Sequence, residues 1–208
     1  MGFALKVREL TRSDHAAAQG MAYFDALLSG GLDRSGYTAL TAQLFFVYET
    51  LEEAADEMRD DPVAGAFVFD ELARLPALVA DLAHLLGPDW PAQVAASGPT
   101  SEYRARLREV AFTWPAGFVA HHYTRYLGDL SGGQVMRRAI QREYGLDGPG
   151  TRFYEFPGVE PRAFKQRYRQ LLDSAPWDAV EQDRFLDEVS RAYQLNTAML
   201  DDLGKVVA

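Results

Sequence analysis

Four side chains near the start of the chain, Arg8, Arg12, His15 and Gln19, recur at steps of four, three and four. On a helix turning 100° per residue they fall within about 60° of one another and form one stripe. Histidine offers a neutral nitrogen to a metal, and arginine offers a planar fork of donors to carboxylates. Arg8 lies about 10 Å along the axis from His15 at the helical rise. Such a stripe suits a flat ligand whose metal centre meets the imidazole and whose anionic edge meets the arginines.

A second stretch, Tyr126-Leu127-Gly128-Asp129-Leu130-Ser131-Gly132-Gly133-Gln134, interrupts a helical pattern with three glycines. Val119, His122, Tyr123, Tyr126, Leu130 and Gln134 recur at helical steps around them. Each glycine costs about 1 kcal/mol relative to alanine in a helix interior. The sum is a large share of a net domain stability of roughly 5–15 kcal/mol. Lacking Cβ atoms, Gly128, Gly132 and Gly133 would leave a strip of bare backbone on which a planar ligand can lie, with Asp129 and Ser131 as polar groups beside it. Tight helix packing, or a Ser-Gly-Gly break between two helices, is the alternative reading of the glycines alone.

The run from Ala120 to Gln134, AHHYTRYLGDLSGGQ, resembles the distal-helix signature of heme oxygenases. Looser likenesses cover Phe3 to Leu32 and Phe164 to Arg169, so the resemblance spans almost the whole chain. It implies a single all-α domain over residues 1–208, with heme b sandwiched between a proximal and a glycine-rich distal helix. Heme would be both substrate and cofactor and O2 the co-substrate. Electrons would come from a reductase partner, a ferredoxin with its reductase or a flavoprotein, and the products would be biliverdin, CO and ferrous iron. A non-catalytic heme carrier or sensor on the same scaffold is the alternative, but storage has no use for a carboxylate beside the strip.

The same resemblance assigns roles. His15 matches the proximal iron ligand. Arg8 and Arg12 lie where basic residues approach the heme propionates, joined by Tyr123, Lys165 and Arg169. Asp129 matches the carboxylate that anchors a proton-delivering water network. Arg125, one turn earlier, would orient it; Tyr48 and Asn196 would belong to the same network. Gly128, Ser131, Gly132 and Gly133 would lie against the distal face. Gln19 departs from the family, whose members commonly carry glutamate here, and would leave the imidazole with less electron push. Without the resemblance, Tyr48 reads as an ordinary core tyrosine and Arg125/Asp129 as a helical i, i+4 pair. His121 and His122 are neighbours pointing about 100° apart and cannot both face one ligand; they and His84 are expected to be structural.

The elements that must position these groups are helical. Helices are expected over 4–28, 34–59, 68–86, 101–113, 116–144, 161–173 and 177–203, with Ser35 as an N-cap and no strand. A chain of 208 residues, 48% hydrophobic, is ample for one core. The absence of cysteine excludes disulfides and thiolate ligands. A net charge of −9 argues against a nucleic-acid partner but not against a basic pocket for a small anion. The N-terminus lacks an apolar signal core, and the C-terminal residues Asp201, Asp202 and Lys205 do not form a membrane anchor. A cytoplasmic monomer is expected.

Overall fold

Helical periodicity along the chain becomes nine α-helices in a computed structural model that describes residues 2–146 and 148–206, the side chains of Gln19 and Val206 excepted. They are α1 (Phe3–Leu10), α2 (Arg12–Gln19), α3 (Ala22–Leu28), α4 (Arg34–Met58), α5 (Leu75–Leu86), α6 (Gly98–Val110), α7 (Pro115–Tyr144), α8 (Pro161–Ser174) and α9 (Ala179–Val206). Short 3-10 turns fill several connections, and no strand occurs among the described residues. The expected all-α fold is therefore the observed one.

Three boundaries differ from expectation, each for a local reason. The first expected helix, 4–28, is divided into α1, α2 and α3. Thr11 turns its hydroxyl back onto the Val7 carbonyl at 2.8 Å, a bond that bends helices, and Met21 is extended after Gly20. Residues 68–86 hold only a 3-10 turn at Asp70–Leu72 before α5. Pro76 fits the first turn of a helix but, lacking an N–H, cannot bond back to a carbonyl four residues earlier and so cannot continue a helix from residues 68–74. The Glu52 carboxylate then accepts the free N–H groups of Arg74 and Leu75, at 2.5 and 3.1 Å. Residues 101–113 shift to Gly98–Val110, because Ser97 caps Thr100 and Pro99 occupies the first turn. The N-cap of α4 is Asp33, not Ser35. Its carboxylate accepts from the Gly36 N–H, and Ser35 donates to that same carboxylate.

The long helix α7 runs unbroken for 30 residues through all three glycines and stops at Gly145, whose positive φ of 64° ends it. The reading of Ser131-Gly132-Gly133 as a break between helices is thereby excluded. α7 packs against α4, α6 and α9, while α2 rests on α9 and α1 on α8. Tyr48, Tyr103, Tyr168, Phe67 and Phe118 are fully buried in this core, each contributing roughly 1.5–3 kcal/mol of apolar burial.

His121 and His122 are structural, as expected. His121 bonds Glu188 at 2.9 Å and His122 bonds the Tyr168 hydroxyl at 3.0 Å, whereas His84 is exposed. No helix among the described residues is long and apolar enough to cross a membrane.

Candidate functional site

α2 and α7 both line a cavity of about 410 Å³. His15 comes from α2, Gly128, Gly132 and Gly133 from α7, and Tyr193 and Asn196 from α9. Phe24, Leu44, Phe153 and Met199 make the interior mostly apolar. An adjoining cleft of about 660 Å³ shares His15, Gly128, Ser131 and Tyr193 with the cavity and opens between α1 and α8. Arg8, Arg12, Tyr123, Lys165 and Arg169 line it. The result is an apolar slot with a basic mouth, within the size range of small-molecule sites.

The division of the first helix corrects the geometry behind the stripe. Arg8 lies on α1, and Arg12 and His15 lie on α2, so one helical wheel does not describe them. All three nonetheless reach the same cleft. His15 is half-buried and stands edge-on to Tyr193, with ring centroids 6.0 Å apart at 87°. Asp14 accepts the Ser190 hydroxyl at 2.7 Å and ties this part of α2 to α9. Among the described residues, no three His, Asp or Glu side chains gather into a metal site. His15 is thus not part of a multi-residue metal cluster among the described residues. Gln19 continues α2, but its side chain lies outside the described residues.

The glycine strip separates into two parts. A Cβ built on Gly128 or Gly132 meets nothing within 4 Å, so both face open cavity from one side of the helix. A Cβ on Gly133 would instead touch the Tyr154 ring at 3.5 Å. Gly133 therefore lets Tyr154 approach, while Gly128 and Gly132 leave room for a ligand. Ser131 spends its hydroxyl proton on the Leu127 carbonyl at 2.6 Å and accepts from Lys165 Nζ at 3.3 Å. It anchors one base of the mouth to the distal helix.

Behind the strip, Tyr48 donates its hydroxyl proton to Asp129, and Arg125 reaches the Tyr48 oxygen at 3.4 Å. Arg125 also bonds the Asn196 amide oxygen and lies 3.9 Å from the other Asp129 oxygen. Asp129, Arg125 and Asn196 reach the cavity wall, whereas Tyr48 is wholly buried behind the carboxylate and positions it. Burial pushes the Asp129 pKa up, against the charge of Arg125, the hydrogen bond from Tyr48 and the charge of Arg74. The carboxyl is thus easier to protonate than a free aspartate while remaining hydrogen-bonded on its inner side.

Several residues of the site had no signal in the sequence. Phe153 and Tyr154 close the apolar wall from a 3-10 turn after the Gly148–Gly150 loop. Arg74 is buried and holds that turn by donating to the carbonyls of Phe153 and Glu155, with its guanidinium over the Phe156 ring. Glu52 caps Arg74 and accepts the Tyr126 hydroxyl at 3.1 Å. A buried arginine in a loop cannot be told from a surface one by periodicity. Its burial follows from the carbonyls that a distant loop presents to it.

The site fits heme in three respects: bare backbone at Gly128 and Gly132, one imidazole lining the same cavity, and cations at the mouth for carboxylates. Comparison with known proteins agrees. Residues 1–202 match the family model described as Heme oxygenase. Heme oxygenase 1 of Synechocystis sp. is 36% identical over 204 residues, covering 98% of this chain and 85% of that protein. The crystal structure of the Synechocystis heme oxygenase-1 in complex with heme superposes with a TM-score of 0.94 at 36% identity, covering 100% of this chain and 94% of the other. The Synechocystis heme oxygenase-2 structure, in complex with heme and NO, gives 0.95 at 35% identity, covering 100% and 87%.

Proposed function

This chain belongs to the heme oxygenase family, and we propose that it cleaves heme to biliverdin, CO and ferrous iron with His15 as the iron ligand and Asp129 as the anchor of proton delivery. Heme is its substrate and cofactor, and bound heme supplies both the iron at which O2 is reduced and the porphyrin carbon that is oxidised. The observation that carries this reading is the pairing of open backbone at Gly128 and Gly132 with a half-buried, hydrogen-bonded carboxylate beside it.

Each residue contributes a separable task. His15 offers one ring nitrogen to the iron and fixes which face of the ligand it meets. Arg8, Arg12, Lys165 and Arg169, with Tyr123 in the same cleft, would hold the heme propionates there by charge-assisted hydrogen bonds. Gly128 and Gly132 leave the α7 backbone bare on the cavity side, where bound heme would lie against it. Tyr48 and Arg125 hold the Asp129 carboxylate toward the cavity, where an ordered water can receive its proton. Asn196 restrains Arg125 from the other side. The carrier or sensor reading leaves this network without a task.

The electron donor we propose is a ferredoxin with its reductase, or a flavoprotein, docking at the basic mouth; the working form is a cytoplasmic monomer. The test is to add hemin to the purified protein and then supply O2 with a reductase or ascorbate. Loss of the Soret band with rising biliverdin absorbance is expected. A histidine-ligated heme spectrum that persists unchanged would overturn the catalytic reading.

A further inference from the structure

α2, which carries His15, is the least anchored of the first three helices. α1 buries Phe3, Ala4 and Val7, and α3 buries Tyr23 and Leu27. α2 is 8 residues long, and Ala18 is its one buried side chain among those described. A helix this short is marginal by itself and depends on the face it packs. One alanine methyl buries little apolar surface toward that end. Other contacts must fix where α2 lies.

Those contacts come from α9. The Ser190 hydroxyl donates to Asp14 Oδ2 at 2.7 Å. One turn on, the Tyr193 ring stands at 87° to the His15 ring, with centroids 6.0 Å apart. α9 is itself firmly placed here, since Val189 and Ala192 are fully buried in the core. Asp14 and His15 are adjacent, so their side chains leave α2 about 100° apart. Held from two directions, α2 cannot slide or roll on α9 without losing one contact or the other. Burial pushes the Tyr193 phenol up, and Tyr123 and Asp14 add to the shift, so the ring stays neutral beside the imidazole. Asp14 and Ser190 line neither the cavity nor the basic cleft. Any effect they have on a ligand there must pass through α2.

We infer that Asp14, Ser190 and Tyr193 are positioning residues for the iron ligand. Ser190 fixes α2 on α9 through Asp14. The Tyr193 ring limits rotation of the imidazole about the bond that His15 makes to iron. The consequence for heme rests on the role proposed above for His15; the docking of α2 does not.

The test has an empty and a loaded arm. In the heme-free full chain, amide hydrogen exchange at Ala16, Ala17 and Ala18 reads how firmly α2 is held. Ser190→Ala and Asp14→Ala should each speed that exchange roughly 3- to 10-fold, the net strength of one hydrogen bond expressed as an equilibrium. Asp14→Asn, which keeps an oxygen to accept from Ser190, should restore it. In the hemin-loaded, cyanide-bound ferric protein, the proton NMR shifts of the heme methyls follow the plane of the imidazole. Tyr193→Leu should change their spread, and Tyr193→Phe, which keeps the ring, should not. Ser190→Ala should weaken hemin binding by the same factor as it speeds exchange.

Exchange unmoved in Ser190→Ala, or as fast in Asp14→Asn as in Asp14→Ala, overturns the docking role of the bond. Methyl shifts in Tyr193→Leu that match the wild type overturn the role of the ring. If Tyr193→Leu does not fold, Tyr193→Met, unbranched and of similar reach, takes its place. A loaded wild type without a histidine-ligated spectrum would refute His15 as the ligand and leave the exchange result standing.

Discussion

Replacing Gly132 with alanine should stabilise the empty protein and weaken the loaded one. Gly132 lies in the interior of α7 and has nothing within 4 Å of an added Cβ. In the heme-free chain the methyl group meets no clash, so the substitution recovers the helix propensity difference of about 1 kcal/mol. For a domain of this size that raises Tm by roughly 2–4 °C. With heme in the slot, the methyl occupies space that the ligand needs, and overpacking costs about 1–3 kcal/mol. Heme affinity should then fall by roughly 5- to 150-fold, at about 1.4 kcal/mol per factor of ten. Thermal denaturation followed by circular dichroism gives the first quantity, and heme titration at the Soret band gives the second. Gly133→Ala is the contrast, because its Cβ would rest on Tyr154 at 3.5 Å; its loss of affinity should be the smaller. If Gly132→Ala raises Tm but leaves affinity untouched, the strip does not face the ligand. If it lowers Tm in the empty protein, the reasoning that its glycine is retained against helix propensity fails.

Three other predictions concern separate parts of the site and core. His15→Ala should abolish the histidine-ligated ferric spectrum, with added imidazole restoring it; an unaltered spectrum would assign the iron to another side chain. Asp129→Asn preserves an acceptor for the Tyr48 hydroxyl but cannot pass a proton. Heme affinity should hold while biliverdin formation drops about 10²- to 10⁴-fold, the usual contribution of a positioned acid or base, and a normal rate would sink the proton-delivery role. His122 is buried, and burial lowers its pKa from 6.5 to about 3. Because the folded-state pKa is the lower one, the unfolded chain takes up a proton first as pH falls below 6.5. Between pH 7 and pH 5 this group should remove about 2 kcal/mol of stability, 1.5 pH units at 1.36 kcal/mol each. Urea denaturation across that range should show a shallower acid limb in His122→Gln, whose amide still accepts the Tyr168 hydroxyl; an identical limb would mean that another group governs acid unfolding.

What the sequence made legible follows the range over which its signals act. The all-α fold and the span of α7 depend on local periodicity, and the glycines stood out because they contradict it. Where a long-range partner decides the backbone, periodicity failed. Nothing in residues 68–86 shows that Glu52, on another helix, will cap Arg74 and Leu75 and leave the preceding residues as a 3-10 turn. Thr11 likewise gave no warning, since threonine in a helix bends it only when its hydroxyl turns back.

The same distinction runs through the site. His15, Asp129 and the glycines carry their chemistry in residue type and spacing, and resemblance sufficed to single them out. Tyr48 and Asn196 could be named but not understood, because their effect lies in how they bond to Arg125 and Asp129. Arg74, Glu52 and Glu188 gave no signal because each bonds a partner 20 or more residues away. Their cost of burial is met only in the folded arrangement, by hydrogen bonds that one side chain cannot advertise. A buried polar group with all its partners is visible only as a core residue of the wrong polarity. The site is therefore built in two layers with different sources of information. The inner layer is specified by chemistry toward the ligand, and the outer layer by the need to satisfy charges that the inner layer buries. Substitutions in the outer layer should accordingly change how Asp129 is held before they change whether heme binds.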